Sequence, residues 1–594
     1  SILCERKLHR GGRLCPPLAL PSASTHPSLT VAFPSFGCLP NASSIARSFQ
    51  ISLYVHTTPS PSQPFPPLFT AMRRVYVAVS ALGLLAAYVS AHDVDVIIVG
   101  AGWAGMAAAD SLARANVSFL VLESTNRTGG RSHSLRFGHP AVWSGVVERG
   151  SNWVSGVGGG AAGYRKSAPR APVENPVYAL ARAAGLRMVR VPGGADRNMS
   201  GYEAVYTSSG DPNGDPGAAI RLKATLAVEC INKSSTRVGS NTSVRDGLEA
   251  CGWNPQSEEE WAVDWAMSGE DENGEPARQQ ALDCFFPDNS YMWWGPDDHI
   301  VTDQHPRGFA RLIDTMVQDT IPPGDPRVRS NAAVTSIKYG CGGVVVRTHD
   351  GREHSAGQVI STLPLGVLQR NHQALFDPPL PARLAEILDS DGIFMGNLTH
   401  VVVQFPHVWW EDRFHKWLSA NRGNSEPERR AASGEFSAWH NLNHHTLLPG
   451  SKTLLTFLGD PQSSKYEGMS DKDVQDALMI RLREQHPSKT IPEPSAFFIS
   501  RHGYDPNSYG AYSFFKPGWR DQYFDTLTKP LRAECPKHED EVRVRLAGEA
   551  MCASLNGYTH GGYQSGREAA AAYLFDIGKG PNPRHMDELS LCDW

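Results

Sequence analysis

Apolar and polar positions alternate along the chain in patterns that predict a parallel α/β unit. Asp95 to Val99 is a short apolar run ending in Gly100-Ala101-Gly102-Trp103-Ala104-Gly105, and the Ala-rich stretch Met106 to Arg114 follows. That order predicts buried strand, glycine turn and helix. A second strand is predicted over Ser118 to Leu122, stopping at Glu123. Further strands are predicted at Val334-Thr335-Ser336-Ile337, Val344 to Arg347, Val359 to Thr362, and as one element over Gly396 to Phe405. Between them Tyr291 to Gln304 and the amphipathic Phe309 to Thr320 carry the chain back to the first unit.

The beginning of the sequence has a different character. Residues 1–71 contain no Met, are rich in Pro and Ser and show no sustained periodicity, so they read as a leader outside any domain. Met72 is followed by Arg73-Arg74, the apolar run Val75 to Val89 and the small pair Ser90-Ala91, the order of a signal peptide over 72–91. A membrane anchor or core helix is the alternative, but this run is shorter than the roughly 20 residues that span a bilayer. Secretion is therefore expected, without a stable membrane anchor.

Composition narrows the picture. The 594 residues are 41% hydrophobic and 20% charged with net charge -5, which fits a multidomain globular protein. No dense Lys/Arg run points to nucleic acid. Past the signal segment lie Cys230, Cys251, Cys284, Cys341, Cys535, Cys552 and Cys592, an odd set in which Cys230 and Cys251, flanking a polar loop, are the first disulfide to expect. No spacing suggests a metal. Sequons begin at Asn116, Asn126, Asn198, Asn232, Asn241 and Asn397, which makes a secreted chain a candidate glycoprotein.

The glycine turn carries the first chemistry. Gly100 and Gly102 allow a tight turn and close backbone approach to a pyrophosphate, Gly105 lets helix and strand pack closely, and the helix N-terminus offers N–H groups to the anion. Glu123, about 20 residues on, is placed to accept from ribose hydroxyls. A lone glycine motif is weak evidence, but the complete strand–turn–helix–strand context strengthens it.

Arg127-Thr128-Gly129-Gly130-Arg131 follows directly, and with it the sequence resembles the flavin-containing amine oxidase family, closest to polyamine oxidases. Near the other end, Leu546-Ala547-Gly548-Glu549 and Leu555-Asn556-Gly557-Tyr558-Thr559-His560-Gly561-Gly562 look like that family's C-terminal flavin motif. The resemblance implies non-covalent FAD, since no cysteine lies between Asp505 and Trp519. It implies cofactor contacts from Gly130 and Arg131 near the phosphate and ribityl region, Val334 on the adenine side, Gly548 and Glu549 on the ribityl chain, and Gly557 with the glycine-rich helix start that follows it at the pyrimidine end of the ring. Arg149 to Val154 and the segment from Arg501 to Ser513 resemble the stretches that wall the substrate tunnel, with Tyr512 and Tyr558 flanking the substrate amine.

Three departures from the family stand out. His400 occupies the position of a lysine that holds a water at flavin N5, His502 replaces a Trp, and Ser155 replaces a tunnel glutamate. A neutral imidazole can still hydrogen-bond that water, although it lacks a lysine's dependable charge. The run Glu270-Asp271-Glu272 is either a second anionic guide for a polycation or a solvated face.

The implied fold is α/β: a discontinuous Rossmann-like FAD domain from 92–155, 300–370 and 530–580, and an α+β substrate domain on a mixed sheet from 156–299 and 371–529. The stretch 156–170 is Gly/Ala-rich and reads as an insertion. The implied reaction is hydride transfer from the carbon beside an amine nitrogen to flavin N5, with O2 reduced to H2O2 and a polyamine as substrate. A flavoprotein of the same fold with lost or altered activity, or an oxidase of another amine or amino acid, is the alternative. An amino acid substrate requires a cation for its carboxylate, and Arg501 is the one obvious candidate in the sequence.

Overall fold

The structure, a computed structural model, describes residues 92–157, 174–191, 201–210, 216–234, 241–270, 277–282, 294–295, 297–390, 392–520, 522–535, 541–582 and 592. The leader and signal segments, most of the 156–170 insertion, Tyr291, Cys284 and the side chains of Glu270-Asp271-Glu272 fall outside it.

A nine-stranded sheet forms the first layer. Val94–Val99 lies at its centre, parallel to Phe119–Leu122 on one side and to Glu353–Ser361 on the other, and Val542–Leu546 adds a further parallel strand beside Glu353–Ser361. These strands are buried on both faces. Val96 and Ile98 face the helix Trp103–Arg114, while Ile97 and Val99 join the core on the opposite side. Covering the sheet from two sides is what allows such unbroken apolar runs. The antiparallel strands Val334–Gly340 and Gly343–Thr348 extend the sheet, so its strands come from 94–122, 328–377 and 531–546.

A mixed six-stranded sheet and a three-stranded sheet complete the architecture that frames the site. In the six-stranded sheet Thr399–Gln404 pairs antiparallel with Thr453–Leu458, and Lys416–Ser419 pairs with Ala438–Asn441. The three-stranded sheet sets Asp297–Val301 between Trp153–Val157 and Met188–Val191. The predicted single strand over Gly396 to Phe405 is two strands. Ile393–Gly396 pairs with Tyr512–Phe515, and Thr399–Gln404 belongs to the six-stranded sheet. Hydrophobic periodicity misses the break because the step between sheets at Asn397-Leu398 is itself buried, and one polar residue within a strand pattern does not mark a change of sheet.

Cys230 and Cys251 form the expected disulfide, with Cα atoms 5.8 Å apart, and Cys341–Cys535 and Cys552–Cys592 are also joined. Among the described residues no helix is long and apolar enough to cross a membrane.

The Trp103–Arg114 helix and the terminal helix Thr559–Asp576 pack against each other, and small residues allow the approach. A Cβ on Gly566 would stand 2.0 Å from the carbonyl oxygen of Ala104, and one on Gly105 would stand 1.9 Å from that of Gly100. Backbone cannot yield as a flexible side chain does, so overpacking here separates the helices. Gly566→Ala is expected to destabilise the protein by about 1–3 kcal/mol in urea unfolding; an unchanged midpoint would show that the helices do not meet this way.

Candidate active site

A cavity of about 850 Å³ opens between the sheets, and of the cofactor-binding and catalytic residues expected from the sequence all but Gly105 line it. Gly100, Gly102, Glu123, Gly130, Arg131 and Val334 reach it from the nine-stranded sheet and its loops. Gly548, Glu549 and Gly557 reach it from the C-terminal stretch, and His400, Tyr512 and Tyr558 line the remainder. Gly105 does not face the cavity; it serves the close packing described above.

The glycine-lined side has the features an extended, pyrophosphate-bearing ligand requires. Gly100 has φ +99°, and Gly130 comes so close to Gly102 that a Cβ on it would be 3.4 Å from the Gly102 Cα. The helices starting at Trp103 and Thr559 have neither a side-chain N-cap nor an acidic residue in the first turn. Five other helices are capped by Asn175, Ser243, Ser257, Ser425 and Ser470, whereas those starting after Ala310, Pro364, Pro381 and Pro461 also lack a side-chain cap. Uncapped N-termini leave backbone N–H groups available to an anion. Glu123 accepts from the Ala101 N–H at 2.8 Å through Oε2 and from Thr125 through Oε1, which fixes its carboxylate beside the turn.

One carboxylate joins the two sides. Glu549 Oε1 pairs with Arg131 at 2.9 Å, while Oε2 accepts from the Ser513 hydroxyl at 2.5 Å and the Gly557 N–H at 2.8 Å. Arg131 also donates to the Ala511 carbonyl at 2.8 Å. Arg131, 418 residues away in sequence, is thus held together with the stretches around Ser513 and Gly557 by one buried acid.

The other side is rich in aromatic side chains. Tyr512 and Tyr558 share the lining with Trp153, Phe457, Leu398 and three histidines, His400, His440 and His502. The Phe457 ring stands edge-on to His400 at 4.8 Å and to His440 at 5.1 Å. His400 Nδ1 lies 3.4 Å from the Glu148 carbonyl oxygen, and His502 Nε2 lies 3.0 Å from that of Arg149. Both nitrogens must therefore carry the proton and donate, which leaves His400 Nε2 as an acceptor. Burial pushes the His400 pKa down to about 3 and that of His502 to about 4. Both rings are neutral at physiological pH. Beneath them burial raises the Glu148 carboxyl to about 7, although it accepts from Ser134 and from the Phe309 N–H.

Sequence reasoning overlooked two charged residues in this lining, Asp298 and Lys416. Each lies in a short strand; Asp298 sits between Asp297 and His299 and reads as an ordinary polar strand end, and Lys416 is a single charge ahead of Trp417-Leu418. Arg501 is taken up structurally: it donates to the carbonyls of Glu467 and Met469, pairs with Asp471, and does not line the cavity.

A Rossmann-like sheet, a glycine-lined channel and uncapped helix N-termini define a dinucleotide-binding protein of the α/β class. Residues 103–574 match the family described as flavin containing amine oxidoreductase, and the chain belongs to that family; its cofactor is FAD. The chain is similar to polyamine oxidase 1 of Zea mays, 27% identical over 86% of this chain and 96% of that protein. It is also similar to polyamine oxidase 7 of Oryza sativa subsp. japonica, 26% identical over 79% of this chain and 93% of that protein. Lysine-specific histone demethylase 1 homolog 2 of Arabidopsis thaliana is 27% identical over 84% of this chain but only 61% of its own length. Among solved structures, a putrescine oxidase triple mutant redesigned in cofactor binding superposes with TM-score 0.58 and 18% identity, over 81% of this chain and 99% of that one.

The buried histidines make stability depend on pH. His400, His486, His502 and His560 have folded pKa values of about 3 to 4, below the ordinary 6.5. The unfolded chain therefore binds more protons below pH 6.5, and stability falls as pH drops from there toward 4. Each histidine contributes up to about 1.4 kcal/mol per pH unit in that window. Glu148 and Asp298, raised to about 7 and about 6, act in the opposite sense and offset part of the loss. Urea midpoints are expected to be lower at pH 5 than at pH 7, and equal midpoints would contradict the neutral buried histidines.

Proposed function

We propose that the chain is a polyamine oxidase, with O2 as electron acceptor and FAD held non-covalently. The observation that carries this reading is the continuity of the cavity: the glycine-lined, anion-accepting side runs into the aromatic side occupied by Tyr512 and Tyr558. Similarity to polyamine oxidases of two plants supports the substrate class. FAD supplies the two-electron acceptor and returns the electrons to O2, yielding H2O2.

The chain's own residues bind, orient and set protonation. Glu123 takes the ribose hydroxyls, the helix start at Trp103 takes the pyrophosphate, the helix start at Thr559 faces the ring, and Val334 lies against the adenine side. Gly130, Arg131, Gly548, Glu549 and Gly557 position the rest of the cofactor. Tyr512 and Tyr558 place π faces on either side of the amine and hold the carbon to be oxidised in line. An environment that depresses the pKa of His400 and His502 by burial also depresses that of a bound ammonium. The reactive neutral amine is favoured without a strong base. His400 keeps a water through Nε2 as an uncharged acceptor.

The three disulfides support passage through an oxidising compartment, so the proposed location is the secretory pathway.

Purified, FAD-loaded protein is expected to release peroxide from spermine or spermidine, and a yellow protein releasing none from any amine would sink this reading in favour of an inactive flavoprotein. His400→Leu removes the bond to the Glu148 carbonyl and the one to the water at Nε2, and is expected to slow turnover roughly 10-fold. The wild-type pH–rate profile should contain no step attributable to His400 between pH 5 and 8. A step in that range that disappears in His400→Leu would contradict its neutral role.

A further inference from the structure

The three-stranded and six-stranded sheets meet at the cavity, with Trp153 of one packed at 5.9 Å against His440 and at 5.7 Å against Phe457 of the other. On these sheets stand Asp298 and Lys416. Lys416 is directly opposite His440 in its strand pair, and Asp298 is opposite Val191; all four line the cavity.

Lys416 is only 7% exposed. Its ammonium lies 5.3 Å from the centre of the Tyr202 ring, yet among the described residues it makes no hydrogen bond and no ion pair. A buried ammonium with three donors is ordinarily matched by an acceptor, because leaving it unmatched is costly. Asp298 Oδ1 accepts from the Gly156 N–H at 3.1 Å, and the Ser155 hydroxyl supports the same carboxylate. The two opposite charges sense each other but do not touch. Collapsed together they would form an internal pair; held apart at the cavity wall they offer one acceptor and one donor to a molecule between them.

An unmodified polycation fits this pair badly, because what it gains at Asp298 it loses against Lys416. A chain with a nitrogen cation near its end and a carboxylate at the end satisfies both groups. We propose that Asp298 and Lys416 form an end-group subsite for an aliphatic amine terminating in a carboxylate, the amine nitrogen lying on Asp298 and the carboxylate on Lys416. The inference rests on the reading that this cavity receives an amine for oxidation, and it refines the polyamine class to carboxylate-ended members.

The test compares spermidine with N-(3-aminopropyl)-4-aminobutanoate, in which a terminal aminomethyl group of spermidine is replaced by a carboxylate. Binding to the FAD-loaded full chain is measured by equilibrium dialysis under nitrogen, which reports affinity whether or not turnover occurs, and peroxide release is measured separately. Wild type is expected to bind the carboxylate-ended amine at least 10-fold more tightly. Lys416→Met should abolish or invert that preference, Lys416→Arg should keep it, and Asp298→Asn should weaken both ligands. Equal affinities in wild type, or a preference unchanged in Lys416→Met, would overturn the proposal. If Lys416→Met does not fold, the wild-type ratio decides alone. Retained preference without peroxide from any amine would leave the subsite standing and defeat the oxidase reading instead.

Discussion

The carboxylate of Glu549 is the constraint on which the site depends. Its two oxygens collect Arg131 from the loop after the second strand, Ser513 from the strand carrying Tyr512, and Gly557 from the turn carrying Tyr558. Glu549 is buried, so each bond forms where water competes weakly and an unmet partner is costly. The network is fully satisfied only when all three segments are in place. Arg131 is partly exposed, so its pair with Glu549 is weaker than a fully buried one, but loss of the buried carboxylate leaves the Ser513 and Gly557 donors unmet. The fold thus couples the place where a cofactor can lie to the place where aromatic side chains can hold an amine.

Burial on the aromatic side then determines protonation. A cationic lysine at position 400 would need water or an acid to stabilise it; a neutral histidine fixed by the Glu148 carbonyl does not. Phe457 and His502 press against that ring, and Arg149 lies behind His502 through its carbonyl. The two substitutions that appear separately in the sequence, His400 and His502, are neighbours 6.4 Å apart. They form one altered, uncharged patch, so their effects on turnover are expected to be coupled.

Much of this was legible from residue order. The strand–turn–helix over 95–114 follows from glycines at fixed offsets and an apolar run, and both dictate backbone geometry directly. Tyr512 and Tyr558 were found through motifs around them and not through their own chemistry. What escaped was set by tertiary contact. The break at Asn397-Leu398 is invisible because the chain passes from one interior sheet to another. Asp298 and Lys416 are far apart in sequence, and only the meeting of two sheets brings both to one cavity. The helix starts at Trp103 and Thr559 are singled out by lacking a cap where they border the cavity, which a sequence shows only once the helix boundary and the cavity are known.

The central claim is that one cavity brings flavin and amine together, with Glu549 joining its two sides. It is tested most directly by mixing FAD-loaded protein with an amine substrate anaerobically and following the visible flavin band, in wild type and in Glu549→Gln. The account predicts bleaching in wild type that saturates with amine concentration, and in the variant both weaker FAD retention and slower bleaching of the flavin that remains. Full FAD content with unchanged bleaching in Glu549→Gln would contradict it.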